Sequence, residues 1–191
     1  MPTERTSSRT AHTGRAAIIE MLKADHKKVK KAFGDFEKLD AQEDSEQCQA
    51  IVEQTLGDLQ VHATLEEELF YPAARSCLSD EDLIDEAEVE HMTVKVLIEQ
   101  LKNMAPEDDK YAAMFKVLGE YIKHHVKEEE GELFPKLSRA KFDWDNLHGE
   151  MVSRRSELEQ EFMPHGAAIP DEDMEGEDAQ AGAEGQRAKR V

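Results

Sequence analysis

Imidazoles and carboxylates recur in this chain in one order. His26 is followed downstream by His62-Ala63-Thr64-Leu65-Glu66, and His91 by His125-Val126-Lys127-Glu128-Glu129. Both second motifs run on to an aromatic-Pro pair at the same offset, Tyr71-Pro72 and Phe134-Pro135. The lone histidines also sit in matching surroundings, Asp25-His26-Lys27-Lys28-Val29-Lys30 and Glu90-His91-Met92-Thr93-Val94-Lys95. Imidazole nitrogen and carboxylate oxygen are ligands for first-row transition metals. One His-x-x-x-Glu is ordinarily a surface pair, and one inward histidine an ordinary core residue. Repetition of the whole set selects six candidate ligands: His26, His62, Glu66, His91, His125 and Glu129.

These residues need helices to bring them together. Side chains four apart on a helix differ by about 40° around its axis, so His62 and Glu66 share a face, as do His125 and Glu129. Helical periodicity marks five stretches. The first, about 15–40, puts Ile18, Leu22, His26, Val29 and Phe33 on one stripe, and the second, about 46–71, does so with Leu59, His62, Glu66 and Leu69. Pro72 is expected to end the second, because its ring removes a backbone donor. The third, about 80–104, starts at the cap-like Ser79-Asp80-Glu81-Asp82 and carries Ile84, Ala87, His91, Val94 and Ile98. Pro106 is expected in the first turn of the fourth, about 107–134, which runs through Leu118, Tyr121, His125 and Glu129. The fifth, about 143–163, carries Trp144, Leu147, Met151 and Leu158. Short connections favour antiparallel neighbours, hence an all-α, up-down-up-down four-helix bundle with an additional C-terminal helix packed outside it. The expected organisation is a disordered arm over 1–14, the bundle over 15–140, an accessory helix over 141–163 and a disordered acidic tail over 164–191.

In such a bundle the two repeats face each other across the core. Each lone histidine supplies a terminal nitrogen, each His-x-x-x-Glu another, and each glutamate has two oxygens with which to bridge a metal pair. Four nitrogens and two bridging carboxylates fill about eight of the roughly twelve positions around two six-coordinate ions. The remaining positions are open to solvent, an oxo or hydroxo bridge, dioxygen or peroxide. This ligand set suits iron, and zinc and manganese share it. Other residues lie on the inward arcs. Tyr121, one turn before His125, is the candidate to orient a ligand or relay a proton, and Asp58 stands in the same relation to His62. Glu88 and Glu132 are further carboxylates near the arcs. His124 also begins a His-x-x-x-Glu, with Glu128, but only His125 keeps the offset to the aromatic-Pro pair. A ferritin-like site needs Glu-x-x-His on two helices; Glu88-Val89-Glu90-His91 fits once and has no companion.

On His26, His62 with Glu66, His91, and His125 with Glu129, the chain resembles the hemerythrin-like (HHE cation-binding) family over about residues 15–137. The resemblance implies a four-helix bundle holding two non-haem iron ions, cycling between Fe2+ and Fe3+ and joined by an oxo or hydroxo bridge, that meet dioxygen, hydrogen peroxide or nitric oxide. Oxygen-carrying hemerythrins have a further histidine four residues after the third; here that position is Lys95. They also end on an aspartate five residues after the last histidine, where this chain has Glu129 at four and Glu130 at five. The pattern is similar to the bacterial branch with fewer histidines, which points away from reversible carriage. It points towards catalase-like or other oxidoreductase turnover, with sensing, storage or carriage of oxygen, nitric oxide or iron as the alternative.

Composition agrees with a helical protein: 35% charged and 6% aromatic residues. A net charge of -19 repels nucleic-acid backbones and anionic membranes, so small molecules are the expected partners; nothing names a protein partner. Cys48 and Cys77 form no Cys-x-x-Cys, no signal-peptide pattern is present, and a cytoplasmic location is expected.

Overall fold

The computed structural model describes residues 7–40, 43–79 and 81–163, with side chains from Gly14 onward. Seven α-helices follow in order: α1 Ser7–Phe36, α2 Ser45–Leu65, α3 Tyr71–Cys77, α4 Asp82–Lys102, α5 Tyr111–Glu128, α6 Phe134–Lys136 and α7 Trp144–Phe162. No strand occurs among the described residues. Cross-helix pairs give the directions. Lys28 meets Asp58 and His26 meets His62, so α1 and α2 are antiparallel. Glu37 meets Lys123 while His26 meets Glu130, so α1 and α5 are antiparallel as well. Lys95 meets Glu67 and Glu88 meets Arg75, which sets α4 against the α2–α3 rod.

The α7 helix lies along α1 and α2, outside the four-helix core. Two glycines admit it: a Cβ on Gly14 would lie 2.6 Å from the Asp145 backbone nitrogen, and one on Gly57 would lie 2.9 Å from the Phe162 carbonyl. Asp143 caps α7 by accepting from the Asn146 N–H, and Trp144, Leu147, Met151 and Leu158 are buried beneath it.

The interior is divided in two. One apolar cluster holds Ile18, Leu22, Leu65, Phe70, Trp144 and Met151; another, towards the far end, holds Val29, Phe33, Leu56, Ile98, Phe115 and Leu118. Each such side chain contributes roughly 1.5–3 kcal/mol on burial. Between the two clusters lies a polar layer, and it contains the six candidate ligands, all buried.

Three boundaries differ from the expectation. Helix α1 begins at Ser7, so part of the expected N-terminal arm is helical; residues 1–6 and 164–191 lie outside the described residues. Pro106 lies in a turn and not in a first helical turn: Ala105 N–H donates to Asp108, and α5 starts at Tyr111. Neither Pro72 nor Pro135 ends its rod. A single π-helical turn, Glu66–Phe70 or Glu129–Leu133, precedes each proline, with Tyr71 N–H donating to Glu66 O and Phe134 N–H to Glu129 O. A proline ring clashes with the carbonyl four residues back and offers no N–H; a widened turn relieves both problems and lets the helix continue.

Candidate metal centre

Four rods each deliver ligand atoms to one spot. Nε2 of His26 (α1) lies 3.2 Å from Nε2 of His62 (α2), and Nε2 of His91 (α4) lies 3.2 Å from Nε2 of His125 (α5). The carboxylates join the two pairs. Glu66 Oε2 is 3.2 Å from His62 Nε2 and 3.5 Å from His91 Nε2; Glu129 Oε2 is 3.3 Å from His26 Nε2 and 3.5 Å from His125 Nε2. Each glutamate therefore reaches from one histidine pair to the other.

The histidine tautomers follow from the outer ring atoms. Nδ1 of His26 meets Glu130 at 2.9 Å, that of His62 meets Asp25 at 3.2 Å, that of His91 meets Glu67 at 3.1 Å and that of His125 meets Glu90 at 2.8 Å. An ionised carboxylate only accepts, so each Nδ1 carries the proton and each Nε2 turns a lone pair inward. Where both rings of a histidine pair are neutral, two lone pairs then face each other with no proton between them. Glu66 Oε1 and Glu129 Oε2 are buried without a hydrogen bond among the described residues. Repelling lone pairs and orphaned carboxylate oxygens, packed in an apolar interior, fit a cation. The spacings fit as well: bonds of roughly 2.1 Å place neighbouring ligand atoms about 3.0–3.4 Å apart in octahedral or tetrahedral geometry.

Without metal, the layer distributes protons unequally. Burial and the neighbouring Glu129 charge hold Glu66 well above the usual carboxylate range, so Glu66 keeps a proton. Burial acts the same way on Glu129, but contacts with His26, His125 and His62 outweigh it and leave Glu129 ionised. Burial pushes His62 down to about 4 against the pull of Asp25, and it lowers His91 too. At His125 burial is overcome by Glu90 and Glu129, and the ring sits above its ordinary value.

The clasping carboxylates obey the repeat. The acid before each lone histidine holds the other histidine of its own repeat (Asp25 on His62, Glu90 on His125). The acid after each ligand glutamate holds the lone histidine of the opposite repeat (Glu67 on His91, Glu130 on His26). Lys30 pairs with Glu130 and Lys95 with Glu67, while Arg155 of α7 grips Asp25 through both terminal nitrogens. Accessory helix α7 thus reaches a ligand at one remove. Glu67→Ala weakens metal binding by roughly 10–100-fold with the fold intact, because His91 loses its orienting acceptor; metal titration of the variant checks this.

The aromatic residue at the layer is Tyr71, not Tyr121. Tyr71 is fully buried; its hydroxyl donates to Glu129 Oε1 at 2.9 Å and lies 3.3 Å from Glu66 Oε2 and 3.4 Å from His91 Nε2. Burial and the two glutamates hold it well above its ordinary value of 10.0, so it stays protonated. Tyr121 is 45% exposed. The buried arc of α5 is centred near Ile122, and Tyr121 falls on the solvent side of His125. In the other repeat, Phe134 takes the place of Tyr71 and stacks on the His26 ring with a 2° interplanar angle. Asp58 pairs with Lys28 at the surface, Glu88 with Arg75, and Glu132 is exposed. His124 is also exposed, and contacts Glu90 and Glu128.

The profile of the hemerythrin HHE cation-binding domain matches residues 17–137. A crystal structure of an HHE cation-binding domain-containing protein from Mycobacterium kansasii superposes with a TM-score of 0.63 at 23% identity, covering 74% of this chain and 86% of that one, a likeness of fold. A protein from Nostoc sp. named DNA nickase is 32% identical over 117 residues, 61% of this chain. The chain spans 32% of that relative's length. Among the described residues no helix is long and apolar enough to cross a membrane.

Proposed function

The chain belongs to the hemerythrin HHE cation-binding family, and we propose that it holds two non-haem iron ions and reacts with hydrogen peroxide or dioxygen. His26 and His62 would be terminal ligands of one ion and His91 and His125 of the other, with Glu66 and Glu129 spanning both. When bound, the iron pair supplies electron transfer between its ferrous and ferric states. The observation that carries the reading is the Tyr71 hydroxyl, a protonated donor buried beside both carboxylates and next to the open positions. By turning its one O–H from Glu129 Oε1 it can donate a hydrogen bond to an oxygen atom there. Phe134 and Phe70 close one side of the layer, and Val29, Leu59, Val94 and Ile122 line the narrow gap on the other, which limits the reactant to a few heavy atoms.

The iron-loaded protein is expected to contain about two irons per chain and to evolve oxygen steadily from hydrogen peroxide. His125→Ala abolishes both. Tyr71→Phe keeps the irons but slows turnover about 10²-fold or more. Iron that is bound yet inert to peroxide rejects the reading.

The closure of the layer favours a second reading: stoichiometric sensing, storage or carriage of oxygen, nitric oxide or iron, with ligand rings only a few per cent exposed. It predicts a reversible optical change without gas evolution. We do not extend DNA nicking to this chain: a net charge of -19 repels phosphate backbones, and two-thirds of the nickase lies outside the match.

A further inference from the structure

Three of the four carboxylates that clasp a ligand histidine are themselves held by a fixed cation: Asp25 by Arg155, Glu67 by Lys95 and Glu130 by Lys30. The fourth, Glu90, is not. Its Oε2 holds His125 Nδ1, and among the described residues its Oε1 faces only His124 Nε2, at 3.5 Å. His124 Nε2 lies in turn 3.2 Å from Glu128 Oε1, and no lysine or arginine of the described residues pairs with Glu128. One potential ligand atom from each of the three side chains falls within 4.8 Å of the others. The position pseudo-symmetric to the Arg155–Asp25 grip therefore holds an imidazole and two carboxylates converging on a gap, with positive charge missing.

We propose that Glu90 Oε1, His124 Nε2 and Glu128 Oε1 form an outer site for a divalent transition-metal ion, separate from the buried layer. The proposal rests on the reading of that layer as a metal centre, since the outer ion does for His125 what Arg155 does for His62: it fixes the carboxylate that orients the ring. The donor set is suitable. One nitrogen and two carboxylate oxygens leave room for water, and the 3.2 and 3.5 Å spacings match ligand atoms about 3.4 Å apart around a tetrahedral ion with bonds of roughly 2.1 Å. The i, i+4 spacing of His124 and Glu128 on α5 makes a preformed chelate, and Glu90 on α4 closes it. Access is open, because His124 is 61% exposed. Glu90 and Glu128 share the lining of one narrow crevice with His125 and Glu129.

The test is anomalous diffraction at the zinc edge, with metal analysis, on full-length protein equilibrated with Zn2+ at neutral pH. Wild type is expected to show an ion between Glu90, His124 and Glu128 in addition to those in the buried layer. His124→Ala and Glu128→Gln, both surface changes, are expected to lose that outer ion and keep the inner ones. An empty outer position in the wild type, or an outer ion that survives both substitutions, overturns the proposal. An outer ion beside an empty layer would instead reject the buried metal centre while upholding the outer site, so the two readings fail separately.

Discussion

Glu66→Met is expected to bind at most one ion per chain, yet to melt at a higher temperature than wild type when both are stripped of metal. Glu66 has no exposed surface, and its Oε1 has no hydrogen-bond partner among the described residues. Its carboxyl takes a proton to avoid a second buried charge beside Glu129. Such a group is maintained at a cost, and replacing buried ionisable clusters by apolar side chains of similar volume often stabilises by about 1–4 kcal/mol. Methionine fills the space with an unbranched, adaptable chain. For a chain of this size, each kcal/mol is worth roughly 2–4 °C. Loaded wild type should still exceed the variant, since metal at a thousandfold over its dissociation constant adds about 4 kcal/mol. Calorimetry of stripped and loaded forms, with metal analysis, measures both halves. A metal-free variant less stable than metal-free wild type would mean that Glu66 serves the fold as a hydrogen-bond partner of Tyr71, not as a ligand held at the fold's expense.

How far the site can be read from the sequence depends on what each residue's position relies on. His62 with Glu66 and His125 with Glu129 rely on helical period alone, and repetition relates the two halves, so the six residues that converge could be picked out together. The helices were legible for the same reason, α7 included. Tyr71 was not. Nine residues beyond His62, it falls about 180° away on an uninterrupted helix. Only the π-turn at Glu66–Phe70, which sets the phase back by about one residue, brings it inward. The Tyr71-Pro72 and Phe134-Pro135 pairs were that signal, taken as helix ends because proline usually is one. Tyr121 errs the other way: it is near His125 in phase but beyond the edge of the buried arc. The clasps Asp25, Glu67, Glu90 and Glu130 adjoin ligands in sequence, yet each reaches a histidine on a different helix, so only tertiary structure assigns them. Their sequence trace was an acid before each lone histidine and after each ligand glutamate. Lys95, which stands where oxygen-carrying relatives place a histidine, steadies Glu67 instead. Arg155 had no trace in either repeat, because α7 belongs to neither.

Acid should empty the centre, and the proton layout gives the steepness. A metal ligand must be deprotonated, so each proton displaced on binding makes affinity fall tenfold per pH unit below that group's value. In the metal-free layer, Glu66 is protonated and His125 is held above 6.5, whereas His62, at about 4, is already neutral. Below pH 6.5, protons held by Glu66 and His125 therefore leave as the ions enter, and overall affinity should fall as the pH is lowered, by up to about a hundredfold per unit where both are protonated. As pH approaches 4, His62 adds a third proton and the fall steepens. The sign for folding stability must be taken group by group. His62 has a folded value below its unfolded 6.5, so between 6.5 and 4 the unfolded chain binds more protons. Its contribution, about 3 kcal/mol, is complete above 6.5 and lost as pH falls through 4. Glu66 runs the opposite way: its folded value is raised, so it lowers stability as pH rises above 4.5 and restores it on acidification. Because these oppose each other in the metal-free protein, the loaded-minus-free difference carries the signal. Zn2+ competition titrations between pH 5 and 8, with proton release followed in weak buffer, measure it directly. Proton release that grows as the pH falls below 6.5, and is smaller in Glu66→Gln, would establish the layout. An affinity indifferent to pH would show that the glutamate and the histidines are not the groups that take the ions.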